Sequence, residues 1–374
     1  MNERTYHGRV GILQNWLAPY RAPLFDMIAE RCEGGLSICA GRDSGGKDVD
    51  GSALRKASYF AVENQVILGG RFQMIRQKGV LRWLEEWNPD VLISNANPRM
   101  ISVRQARAWM KRRQRPVIGW GLGTMAVLPG FFMPLRQAVR APFVRAFDGI
   151  IAYSSRAADQ YHALGVPRER IFIAYNSTTR CPTRRPPEKP TQFTGRPIAI
   201  YVGQLLAQKR IDMLLAACAA LPEPMQPELW IVGEGPSRAT DEMEAARVYP
   251  RAKFLGGKFG DELSDLLYQA DLFVLPGMGG LAIQQAMAHG LPVIVGEGDG
   301  TQSDLVRPEN GWNVRANDVD DLTDKLRDAL SDAVRLRQMG AESFRIVVEE
   351  INMDRMADTF ITAVNALAPI PVGR

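Results

Sequence analysis

Two α/β domains, each a parallel sheet flanked by helices and together facing a central cleft, are the fold that this sequence of 374 residues predicts. Three observations lead there. Short β-branched runs alternate with amphipathic stretches almost from end to end, the pattern of parallel sheets covered on both faces. The alternation lapses once, over residues 180–197, RCPTRRPPEKPTQFTGRP, where five prolines stand and no apolar period is present. The length exceeds one ordinary core and suits two. The expected layout is a Rossmann-like domain over residues 1–180, a linker over 181–197, a second Rossmann-like domain over 198–350 and a last helical segment over 351–374.

The elements follow in order. Strands of the first domain read GRVGILQNW, LSICAG, DVLISNA, PVIGWG, GIIAYS and IFIAYN. Between them, RFQMIRQKGVLRWLEEW, ISVRQARAWMKRRQ and SSRAADQYHALG carry helical spacing. The last of these stops at Gly165, with Pro167 just beyond, a normal helix end. After the proline-rich stretch the alternation restarts with RPIAIYVG and a helix from Lys209 to Ala220. ELWIVGEG, a helix near Arg238–Arg247, AKFLGG and a helix at Glu262–Gln269 come next. LFVLPG, a helix from Ile283 to His289, LPVIVGEG and helical segments near 318–330, 333–348 and 352–367 complete the chain.

Composition excludes several classes. No run of about 18 apolar residues occurs, so no transmembrane helix is expected. The start, MNERTYHGRV, lacks an apolar signal core. Cys32, Cys39, Cys181 and Cys218 form no CxxC pair and no zinc spacing, which predicts free thiols in a reducing cytoplasm. Charge is uneven: residues 1–186 hold 28 Lys and Arg against 14 Asp and Glu, and residues 187–374 hold 18 against 27. The basic half faces something anionic or is simply a solvated surface. Residues 128–147, with Phe131, Phe132, Met133, Leu135, Phe143, Arg136, Arg140 and Arg145, lie near RQARAWMKRRQR. They suit peripheral docking on the anionic inner face of a cell membrane, or else a helix packed on its own sheet with a wet basic side.

Strands of the second half end repeatedly in glycine: YVGQLLAQKR, IVGEGPSR, FLGGKFGDE and LPGMGGLA. Glycine there lets a ligand approach the backbone, and ligands of open parallel sheets sit at the carboxyl ends of strands. Gly279 and Gly280 precede a helix, so the N–H groups of Gly280, Leu281 and Ala282 can hold an anion; the other reading is a tight turn without ligand. Lys209, six residues after Gly203, is a counter-charge for a diphosphate or a surface lysine.

These stretches carry a resemblance. YVGQLLAQKRIDMLLAA, LWIVGEGPSR, DELSDLLYQADLFVLPG, GLAIQQAMAHGLPVIV and TQSDLVRPENGWNV resemble the donor domain of GT-B glycosyltransferases, particularly the large family 4 of retaining enzymes. NWLAPYRAPLFDMIAE, FDGIIAYSSRAADQYHALGVPRERIFIAYN and the final helix match more loosely. The resemblance implies a nucleotide-diphospho-sugar as co-substrate, with no resident cofactor and no metal. It implies that the last helix packs back toward the first domain. Gly203, Gln204, the turn Gly233, Glu234, Gly235 and Pro236, and the segment Leu255–Lys258 would line the donor. Lys209 would contact the diphosphate, Gly279, Gly280, Leu281 and Ala282 would offer N–H groups, and Gln285 would hold the ribose.

Departures from the family are informative. Its two glutamates, eight positions apart, are Gly277 and Gln285 here. The arginine that pairs with the lysine is Gln204, and the first-domain histidine position is Leu122. The histidines present are His7, His162 and His289; His162 suits a surface and His289 a helix end. Glu297, Asp299 or Asp304 could stand in for the missing glutamate. Family transfer proceeds on one face of the sugar, with the leaving diphosphate helping to deprotonate the acceptor. That chemistry asks for leaving-group stabilisation and positioning, which makes Lys209 and Gln285 the expected catalytic residues.

The first domain is expected to choose the acceptor through Trp16, Tyr20 and Arg21 after the first strand and through GWGLG, where Trp120 offers a stacking face and Gly121 a close approach. Arg21 would approach the diphosphate or a phosphorylated acceptor, or would be a helix-start arginine with Pro23 setting the first turn. The expected activity is hexosyl transfer, with retention, to a lipid-linked or polysaccharide acceptor in cell-surface polysaccharide biosynthesis. A GT-B-shaped nucleotide or glycan binder without transfer is the alternative. A dinucleotide oxidoreductase is disfavoured because neither GWGLGT nor GEGP completes GxGxxG. A nucleic-acid partner is disfavoured by the acidic second half.

Overall fold

The structure is a computed structural model that describes residues 5–41, 51–68, 73–123, 140–296, 298 and 301–368. The chain forms two compact units, Met1–Thr178 with Met353–Arg374, and Thr179–Asn352.

The sheet of the first unit has eight strands: β1 (Val10–Trp16), β2 (Leu36–Gly41), β3 (Ser58–Leu68), β4 (Met74–Lys78), β5 (Val91–Asn95), β6 (Val117–Gly121), β7 (Gly149–Ala152) and β8 (Ile171–Ile173). Their spatial order is β4-β3-β2-β1-β5-β6-β7-β8. Pairing is parallel throughout except between β3 and β4. The central strands are buried along nearly their whole length, which is why they read as continuous apolar runs. One face packs on helices Ala22–Ala29 and Met353–Leu367, through Leu24, Phe25, Phe360, Ile361 and Val364. The other packs on helices Val80–Trp87, Ile101–Lys111 and Ser155–Ala163, through Trp83, Val103 and Tyr161.

One expected helix is shorter than its periodicity suggested. Within RFQMIRQKGVLRWLEEW, residues Met74–Lys78 are β4, antiparallel to β3, and the helix is Val80–Trp87 only. Gly79 separates them at φ 100, a left-handed conformation that favours glycine. Strand β3, SYFAVENQVIL, is not among the strands expected from sequence, because Glu63, Asn64 and Gln65 interrupt its apolar run.

The second unit holds a six-stranded, wholly parallel sheet: β9 (Ile198–Val202), β10 (Glu228–Val232), β11 (Ala252–Gly256), β12 (Leu272–Leu275), β13 (Val293–Gly296) and β14 (Gly311–Val314). The order is β11-β10-β9-β12-β13-β14. Chain progression therefore reverses between β9 and β12. The proline-rich residues 180–197 carry no helix or strand and belong to this unit. The Lys189 ammonium donates to the Ala270 carbonyl, and Arg337 donates to the Pro190 carbonyl at 3.0 Å while pairing with Asp271 at 2.7 Å.

Candidate functional site

The site of the second unit grows from the switch point. The chain leaves β9 through Gly203, Gln204 and Leu205, makes a 3-10 turn over Ala207–Lys209, passes Arg210 at φ 58 and enters the helix Ile211–Ala220. It leaves β12 through Pro276, Gly277, Met278, Gly279 and Gly280 and enters the helix Leu281–Ala288. These two loops interlock. The Met278 N–H donates to the Gln208 carbonyl at 3.2 Å, and the Lys209 ammonium donates to the Met278 carbonyl.

This interlock accounts for Gly277. A Cβ there would lie 2.5 Å from Lys209 Cα and closer still to the Gln208 carbonyl oxygen, both backbone atoms. No side chain fits, so the family's glutamate is sterically barred. Gly233, Gly235 and Gly296 are explained the same way: a Cβ would overlap the carbonyls of Gly203, Leu205 and Pro276 respectively. At Gly233, Gly235 and Gly277, which lie in turns expected to admit a ligand, the neighbouring loop also approaches closely and by itself requires glycine. Gly280 differs, since a Cβ there would meet only Thr301 Oγ1, at 3.4 Å.

Gly280 is the N-cap of its helix and makes no side-chain cap bond. The first-turn N–H groups of such a helix have no intrahelical acceptor and carry the positive end of the dipole. Two donors occupy the carbonyls of the same loop, Lys209 on Met278 and Gln302 Nε2 on Gly279 at 2.6 Å. The carbonyls of Met278 and Gly279 are thus taken and the Met278 N–H is spent on Gln208, which leaves the first-turn N–H groups of the helix as the donors suited to an anion. Burial pushes the Lys209 pKa below its ordinary value, so its charge gains from an anionic neighbour.

The other donor-side residues are placed as follows. Gly203 and Gln204 follow β9; Gln204 is exposed, and its carbonyl accepts from the Tyr201 hydroxyl at 3.0 Å. Gly233 to Pro236 follow β10, with the exposed Glu234 carboxylate paired to Arg238. Lys258 follows β11 and pairs with Glu262 at 3.5 Å. Leu281 and Ala282 open the helix that carries Gln285, which is partly buried. The Gln285 carbonyl faces His289 Nδ1 at 2.7 Å. His289 is the C-cap of that helix, as expected of it, and burial lowers its pKa. His162 is exposed. Asp304 lies in the short helix Gln302–Leu305, partly buried; Glu297 and Asp299 lie outside the described residues.

Two glutamines were missed by sequence reasoning. Gln302, almost wholly buried, holds the Gly279 carbonyl of the loop after β12. Gln284, equally buried, accepts from the Thr179 N–H at 3.3 Å and donates to the Ile351 carbonyl at 2.7 Å. It joins the first residue of the unit to the one before its last. A polar residue on the apolar side of a buried helix was the available signal.

In the first unit, Trp16 and Tyr20 are 40% and 44% exposed at the carboxyl end of β1. Trp120 corrects the expectation of a stacking face: it is 1% exposed and packs edge-on against Phe25 and Phe360. Gly121 abuts the Tyr161 hydroxyl, which a Cβ would approach to 2.6 Å. Arg21 is 7% exposed, with the Asn176 side-chain oxygen and Met356 Sδ as acceptors. Of the aromatic and basic stretch, Phe131, Phe132, Met133, Leu135 and Arg136 lie outside the described residues. Phe143 is buried, with the Arg107 guanidinium 5.6 Å over its ring and 4.8 Å over Phe147, so this aromatic belongs to the core rather than to a docking face.

Such a doubly wound unit, with an uncapped helix start and a lysine at its switch point, has the layout in which α/β proteins bind phosphate groups. Comparison with known proteins gives the family. A model described as "Glycosyl transferases group 1" matches residues 184–345, and one described as "Glycosyl transferase 4-like domain" matches residues 37–177. The chain belongs to the GT-B glycosyltransferases of family 4 type. A GDP-mannose-dependent alpha-mannosyltransferase of Mycobacterium tuberculosis is 29% identical over 71% of this chain and 70% of its own. A GDP-mannose-dependent monoacylated alpha-(1-6)-phosphatidylinositol monomannoside mannosyltransferase of Corynebacterium glutamicum is 31% identical over 43% of this chain and 45% of its own. The sulfoquinovosyl transferase SQD2 of Arabidopsis thaliana is 30% identical over 37% of this chain and 27% of its own. Two of these three matches thus span less than half of the relative. Among solved structures, the lipopolysaccharide outer core galactosyltransferase WaaB superposes with a TM-score of 0.70 at 16% identity, covering 96% of this chain and 99% of WaaB. Anabaena HepE in complex with UDP gives 0.71 at 16% identity, covering 96% and 100%. At that identity they share the fold.

Proposed function

We propose that the protein transfers a hexosyl group, with retention, from a nucleotide-diphospho-sugar to a lipid-linked or polysaccharide acceptor, in the biosynthesis of a cell-surface polysaccharide or glycolipid. One observation carries the reading: Lys209 and the uncapped N-terminus at Gly280 converge on one loop whose carbonyls are already occupied. That arrangement suits a diphosphate. The relatives named for GDP-mannose make it the first donor to try.

In the proposed reaction the bond between the anomeric carbon and the diphosphate oxygen breaks as the acceptor hydroxyl adds to the same face. The acceptor proton passes to the departing diphosphate oxygen. Lys209 and the N–H groups of Gly280, Leu281 and Ala282 stabilise the growing charge on the leaving group. Gln285 holds the ribose through its amide, which can both donate and accept. Gly203, Gly233 to Pro236 and Lys258 line the nucleotide, and Asp304 is the described carboxylate proposed to face the sugar. No metal is required in this scheme, and activity should withstand EDTA. The test is product analysis with GDP-mannose and a lipid-linked acceptor. An α-linked mannoside supports the proposal, and a β-linked product contradicts retention. The bar to a glutamate at Gly277 favours a second reading, a binding protein without transfer. Tight nucleotide binding with no donor turnover would select it.

A further inference from the structure

Among its described residues, the first unit contains a buried cation without a counter-charge. Arg21 is 7% exposed, yet no carboxylate pairs with it among the described residues. Its partners are neutral: the Asn176 side-chain oxygen, Met356 Sδ at 3.6 Å and the Tyr153 hydroxyl. Its guanidinium sits among ring faces, 5.2 Å from Tyr20, 5.3 Å from Trp120 and 5.5 Å from Tyr153. Ring faces stabilise a cation but do not neutralise it.

Position sharpens the point. Arg21 is the N-cap of the helix Ala22–Ala29, whose first turn holds no acidic residue and no side-chain cap. A cation there stands at the positive end of a dipole, which is unfavourable. A buried, uncompensated charge is costly, and a purely structural role would be better served by an apolar residue. The place is also functional in kind, because Arg21 follows the carboxyl end of β1, beside the strand-order reversal between β1 and β5. Exposed Trp16 and Tyr20 flank it in sequence.

We propose that Arg21 receives a phosphoryl group carried by the acceptor, whose two oxygens take the planar fork of the guanidinium. The anion would supply the missing counter-charge, and Trp16 and Tyr20 would contact what the phosphate is attached to. The word acceptor rests on the transferase reading; the anion site does not.

Thermal unfolding of the full chain tests it, with hexyl phosphate and inorganic phosphate as probes and ionic strength held constant with sodium chloride. Saturating hexyl phosphate should raise the wild-type midpoint by about 2–4 °C. The rise should persist in Lys209→Ala, which disables the other anion loop, and vanish in Arg21→Met. If Arg21→Met does not fold, Arg21→Lys keeps the charge but loses the fork, and its affinity for hexyl phosphate should fall at least about fivefold. No phosphate-specific rise in the wild type overturns the proposal. So does a rise that survives in Arg21→Met, unchanged affinity in Arg21→Lys, or a response to inorganic phosphate alone. These readouts need no donor turnover, so an inactive transferase and an empty anion site remain distinguishable.

Discussion

In the proposed reading, the donor site turns on Lys209. Replacing it with alanine removes a charge-assisted bond to the diphosphate, and GDP affinity should fall about 10- to 100-fold by calorimetry. Its pH dependence has a definite sign. Burial lowers the pKa in the free protein, and a bound diphosphate favours the ammonium. Affinity should be full below that pKa and fall as pH rises through it, a decline that Lys209→Met should lack. Gly277 yields the sharper test. Restoring the family's carboxylate as Gly277→Glu should not improve the enzyme, because the side chain would collide with backbone at Gln208 and Lys209. We expect a loss of about 1–3 kcal/mol in stability and weaker nucleotide binding. A variant as stable as the wild type and more active would refute this account of the departure.

Among the elements, those with continuous apolar runs were legible and those with mixed composition were not. Strands β1, β2, β5 and β7 are enclosed by helices on both faces, so burial wrote itself into VGIL, LSICAG, VLIS and GIIA. Strand β4 is the edge of the sheet and β3 is its inner neighbour, polar residues are tolerated in this outer pair, and MIRQK merged with the helix that follows it. In the candidate site, the glycine turns and Lys209 could be placed at the ends of β9, β10 and β12 because that placement follows from local sequence. The reason for Gly277 could not, since it depends on a carbonyl from a loop about 70 residues away in sequence. Gln284 belongs to the same illegible class. Gln284→Leu should strand the Thr179 N–H and Ile351 carbonyl, cost about 2 kcal/mol and lower the unfolding midpoint by roughly 4–8 °C, measured by calorimetry.

Across the whole molecule, charge is divided by unit as it is by sequence. Arg104, Lys111, Arg112 and Arg113 are exposed at one helix and its end, and among the described residues no helix is long and apolar enough to cross a membrane. Vesicles rich in anionic lipid should therefore retain the protein at low salt and release it at high salt, whereas neutral vesicles should not retain it. Equal retention by both would remove electrostatics as the cause. The central claim, however, is that the second unit activates a nucleotide-diphospho-sugar. The most direct measurement is nucleotide release from a panel of GDP-, UDP-, ADP- and dTDP-sugars, wild type beside Lys209→Ala, where even slow hydrolysis counts. The account predicts release from one nucleotide class, reduced about 100-fold in the variant. No release from any donor, or release indifferent to Lys209, would contradict it.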